Sequence, residues 1–96
     1  MALATTLFDP AAYLTDADSI EEYLRSAFET EDVAVITDAF GVVARARGMT
    51  ALADDTGLAR QSLYKALGKD GNPGFATVMR IAHSLGFRLT AERLPA

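Results

Sequence analysis

Arg60, Gln61, Tyr64 and Lys65 lie within one short stretch, RQSLYK, spaced to fall on the outer side of a helix whose inner side carries Leu63 and Ala66. Each has a use against a nucleic-acid duplex. An arginine guanidinium forks onto guanine and a glutamine amide onto adenine, while tyrosine and lysine hold phosphate oxygens. On that chemistry Arg60 and Gln61 are assigned to bases, and Tyr64 and Lys65 to the backbone. Thr50, at the start of the preceding helix where N-terminal amides suit an anion, joins the backbone set, as do Lys69 and Asn72 in the following loop. The competing reading of any one of them is a solvated helix face.

Other chemistries find few residues to work with. There is no cysteine, hence no disulfide framework and no thiolate metal site. The single histidine, His83, has no Cys, Asp or Glu at ligand spacing and reads as a surface residue. No glycine-rich phosphate loop follows a strand, and no carboxylate pair stands beside a base. The expectation is therefore a chain that is not an enzyme and needs no metal or cofactor.

The element that must position the reading face is the stretch Met49 to Leu67, MTALADDTGLARQSLYKAL. Two short helices meeting at a tight turn need a small residue at the contact and a glycine where the chain reverses. Ala53, Gly57 and Leu63 sit at those places, and Leu52, Leu58 and Ala66 complete the inward set. The segment reads as a helix-turn-helix, its second helix running from Ala59 to Leu67.

Ninety-six residues suffice for one modest core, in a chain divided here into an acidic helical extension, 1–31, and a helix-turn-helix domain, 32–96, forming one compact unit. No apolar run approaches the roughly 18 residues that span a bilayer, and the N-terminus lacks a signal pattern, so no membrane role and a cytoplasmic location are expected. The net charge of −4 argues against a nucleic-acid partner, but the charge is unevenly spread. Met1 to Arg47 holds nine acidic and three basic residues, a balance of −6, whereas Gly48 to Ala96 holds four acidic and six basic, a balance of +2. Such a chain presents two faces to two partners, unless the acidic half is only a solvated surface.

Around the helix-turn-helix the periodicity is mostly helical. FDPAAYL, Phe8 to Leu14, reads as a short helix whose Phe8, Tyr13 and Leu14 either anchor on the core or meet a partner. Overlapping capping boxes, Asp18-x-x-Glu21 and Ser19-x-x-Glu22, open a helix with the stripe Ile20, Tyr23, Leu24, Ala27 and Phe28. Capped by Thr30 or Asp32, a further helix carries Val33, Ile36, Phe40, Val43 and Ala44 inward and stops at Gly48. Its Arg45 and Arg47 read as dipole-compensating residues of the last turn, the competing reading being phosphate contact. After the loop GKDGNPG, Phe75 to Leu85 is helical with Phe75, Val78, Ala82 and Leu85 inward. Phe87 to Arg93 alternates Phe87, Leu89 and Ala91 against Arg88, Thr90 and Glu92, a strand period. A lone strand needs a partner, so these three apolar residues are expected to pair across a two-fold axis in a homodimer, the competing reading being a tail with two anchors.

The run GMTALADDTGLARQSLYKALGKDGNPGFATVMRIAHSLGFRL, preceded by FDPAAYL and AFGVVARARG, closely resembles the HigA-like addiction-module antidote proteins. These are antitoxins of the lambda-repressor/Cro-like (XRE) helix-turn-helix class, and the resemblance covers Phe8 to Leu89. It implies an all-α bundle of about five helices and, with the alternation above, a short C-terminal β-strand. It also implies a type II antitoxin that neutralises a RelE/ParE-like toxin and represses its own operon by binding operator DNA as a dimer. Such toxins are basic, so Glu21, Glu22, Glu29, Glu31 and Asp32 are expected to meet the toxin. One departure stands out: where the family commonly has Ser before the recognition helix, this chain has Ala59.

Overall fold

A computed structural model describes Leu14 and residues 16–96. Five helices occur among them: α1 (Ala17–Glu29), α2 (Val33–Arg47), α3 (Met49–Thr56), α4 (Arg60–Ala66) and α5 (Phe75–Ser84).

Helix α1 begins on Asp16, whose extended backbone leaves Oδ1 free to accept the Ser19 N–H at 2.7 Å. The start lies upstream of the boxes expected at Asp18 and Ser19, because both of those residues are already helical. The turn to α2 is short. Thr30 Oγ1 donates to the Ala27 carbonyl at 2.6 Å and accepts the Asp32 N–H at 3.1 Å. Asp32 then caps α2 by accepting from Ala34 and Val35. Across the turn, Phe28 and Phe40 pack edge to face with centroids 6.0 Å apart.

Gly48 both ends α2 and begins α3 at φ 108, a conformation that a β-carbon would strain, so one residue redirects the chain. The core is built where α2, α3, α4 and α5 bring together their largest fully enclosed side chains, Val43, Leu52, Leu63 and Ile81. Leu24 and Ala27 of α1 close it from one side. Leu14 is buried in the same cluster, which fits the anchoring alternative, while the rest of the short helix expected over Phe8–Leu14 lies outside the described residues.

Two inward assignments are corrected. Val33 is 68% exposed and Phe75 72% exposed. Each is the first residue of its helix, and helical side chains lean toward the N-terminus, so these two project past the end of the packed layer. The inward stripe of α5 is Val78, Ile81, Ala82 and Leu85.

The expected C-terminal β-strand is not formed, and the described residues are all-α. Helix α5 ends in a Schellman motif: Gly86, at φ 92, donates to His83 O, and Phe87 N–H donates to Ala82 O at 2.8 Å. That motif seats Phe87 against the core. Leu89 follows it to half-burial, whereas Arg88, Thr90 and Ala91 are exposed. The alternation thus encodes a tail with two anchors, and the apolar faces of Phe87 and Leu89 are spent within the chain. No ladder for a two-stranded ribbon exists among the described residues.

Candidate functional site

The face expected to read DNA is positioned by a turn held from both sides. Gly57 adopts the left-handed conformation, φ 75, and its N–H closes α3 on the Ala53 carbonyl at 2.9 Å. Thr56 makes the second clamp. Its buried Oγ1 donates to Leu52 O at 2.8 Å and accepts the Leu58 N–H at 3.2 Å, satisfying an amide that neither helix reaches. Sequence reasoning passed over Thr56, although a threonine directly before a turn glycine is a side-chain capping signal.

Helix α4 is fixed by Leu63, which has no exposed surface, and by Leu67. Arg60, Gln61, Tyr64 and Lys65 accordingly all face solvent. Arg60 and Tyr64 act as a pair. The guanidinium lies 5.7 Å from the ring centroid and its Nη2 reaches the Tyr64 hydroxyl at 3.5 Å, a cation–π contact with a long, weak hydrogen bond. The arginine is thereby oriented along the helix before any ligand arrives.

Ala59 is the N-cap of α4, extended at φ −68 and ψ 142, and provides no side-chain cap. The opening amides of a seven-residue helix are left to solvent. Thr50 is exposed in the first turn of α3, which also lacks a side-chain cap.

At the other end of α4, Lys65 and Asn72 line a shallow concavity of about 300 Å³ with Ser62, Ala66, Asp70 and Gly71. Two of the expected backbone contacts are thus brought together, with Lys69 exposed beside them. Asp70, which the sequence reading did not weigh, shares the concavity and opposes a phosphate there.

The frame behind this face is polar. The Ser84 hydroxyl of α5 donates to the Asp55 carboxylate of α3, and Arg47 donates to the Ser84 carbonyl at 3.0 Å. Arg47 therefore serves a helix end, as dipole compensation requires, but the end of α5 rather than its own. His83 is exposed.

The acidic residues lie on the opposite half of the chain order. Glu22, Glu29, Glu31 and Asp32 are exposed on α1 and the following turn, with Asp32 committed to capping α2. Glu31 holds a left-handed backbone, φ 55, unusual for a residue with a side chain. Glu21 pairs with Arg25 at 2.7 Å, the one salt bridge among the described residues, and both partners are well exposed, so its worth is small. Among the described residues no helix is long and apolar enough to cross a membrane.

Comparison with known proteins adds two findings. The family described as "probable addiction module antidote protein" matches residues 4–93. A protein of Haemophilus influenzae described as "Uncharacterized protein" is 40% identical over 86 residues, covering 90% of this chain and 89% of its own length. No solved structure matches.

Proposed function

From the premise that the chain belongs to the addiction-module antidote family, we propose that it is the cytoplasmic antitoxin of a type II pair, a HigA-like member of the XRE helix-turn-helix class. In this reading it neutralises a RelE/ParE-like toxin and, as a homodimer, binds operator DNA to repress its own operon. The observation that carries the DNA arm is the solvent face of α4, where Arg60, Gln61, Tyr64 and Lys65 stand on a helix locked by Leu63.

The cation content argues for two copies. One chain offers few lysines and arginines near α4, and affinity scales with the phosphates neutralised. A two-fold pair doubles them and matches half-sites roughly 34 Å apart on a palindrome. The acidic α1 and the turn after it supply the complement to a basic toxin, speeding encounter and selecting the partner.

A second reading has one observation in its favour: the missing cap at Ala59 weakens the recognition helix. Under it the chain neutralises the toxin and the helix-turn-helix is scaffold. Titration of the promoter fragment at several salt concentrations separates the two. Steeply salt-dependent, sequence-selective binding supports the operator reading; equal binding to promoter and random duplex refutes it.

A further inference from the structure

Helices α1 and α2 enclose a groove of about 280 Å³ lined by Tyr23, Ser26, Ala27, Val35, Asp38 and Ala39. This is below the usual size of a small-molecule site and suits one or two side chains of a protein partner. Its floor is apolar: Ala27 and Ala39 are buried, and Val35 stands 41% exposed at the wall. Its rim is acidic. Asp38 lines the groove and makes no ion pair among the described residues, and Glu22 and Glu29 flank Ser26 at i−4 and i+3 on the same side of α1.

We propose that this groove seats a cationic segment of the toxin, an apolar side chain entering between Tyr23 and Val35 while a lysine or arginine beside it meets Asp38. The inference rests on the reading that the chain binds a toxin, and it narrows that contact from an acidic half to a particular cleft. Charge selects the occupant. DNA is repelled by Asp38, Glu22 and Glu29, and a second copy in an isologous contact would bring the same acidic rim against itself. Tyr23 contributes a neutral donor at the wall: its phenol is pushed up by burial and by Asp38, with Arg45 pulling the other way.

The test uses the full chain and the purified product of the neighbouring toxin gene. Ser26→Trp fills the groove from an exposed position, and Asp38→Lys reverses its rim charge. Glu92→Lys, on the exposed tail, makes the same charge change elsewhere. Calorimetric titration should show Ser26→Trp and Asp38→Lys binding the toxin about tenfold or more weakly, with Glu92→Lys close to wild type. Thermal melts confirm that each variant folds. If the wild type binds and both groove variants bind equally well, the groove assignment is overturned while the antitoxin reading stands. If Ser26→Trp instead changes the sedimentation of the chain alone, the groove holds a second copy and the proposal is likewise overturned. A wild type that fails to bind the toxin removes both.

Discussion

Replacing Ala59 with serine should stabilise the protein. Position 59 already has the extended backbone of an N-cap, and its carbonyl already accepts the Leu63 N–H at 3.0 Å. Only the side-chain oxygen is missing. A serine hydroxyl there reaches the N–H of Gln61 or Ser62, and position 59 is exposed, so no core atom has to move. Supplying such a cap is worth about 1 kcal/mol. For a chain of this size that corresponds to a rise in Tm of roughly 4–8 °C. The same change should tighten promoter binding, because ordering the first turn of α4 before contact removes part of the cost of binding. Thermal melts and urea titrations of wild type, Ala59→Ser and Ala59→Val measure it, valine being the control that adds bulk without an oxygen. An Ala59→Ser protein no more stable than Ala59→Val would refute the cap reasoning. A stabilised variant with unchanged promoter affinity would instead mean that α4 is not the DNA-reading helix.

Thr56→Val removes a buried hydroxyl that serves two backbone groups and leaves the Leu58 N–H unpaired, so the urea midpoint should fall by the equivalent of about 1–3 kcal/mol. Arg60→Ala should cost about 1–3 kcal/mol on the specific site and relax preference at one base, whereas Lys65→Ala should weaken all sequences alike and lower the salt slope by about 1. Equal, sequence-independent losses in a filter-binding series would place Arg60 on phosphate. Tyr23 favours its neutral form in the fold, so the stability it contributes is present below its ordinary 10.0 and is lost as pH rises through its raised value. Urea midpoints of wild type should therefore fall relative to Tyr23→Phe in alkali, and parallel curves would contradict the burial of that phenol.

Much of this fold was legible because local signals and packing agree. Gly48 and Gly57 mark two turns, Asp32 caps α2, and Leu63 lies inside α4, as spacing alone implies. Periodicity failed at helix starts, where Val33 and Phe75 keep the helical phase but stand exposed as the first residues of their helices. It failed again after Gly86, since alternation reports which side chains face the core and says nothing of a hydrogen-bonded neighbour. The outward set on α4 was readable for the opposite reason: one buried leucine fixes the helix phase and thereby everything facing away from it. Long-range partners were not. The Asp55–Ser84–Arg47 links and the groove between α1 and α2 depend on how helices cross, which no local spacing encodes.

In the proposed function two faces serve two partners, α4 meeting DNA and the acidic α1–α2 side meeting the toxin. Adding the toxin to a preformed complex of the chain with a labelled promoter fragment, and following mobility in a native gel, tests it most directly. A slower band containing all three components, with DNA affinity kept, is the expected result. Release of free DNA in proportion to the toxin added would contradict it, placing both partners on one surface.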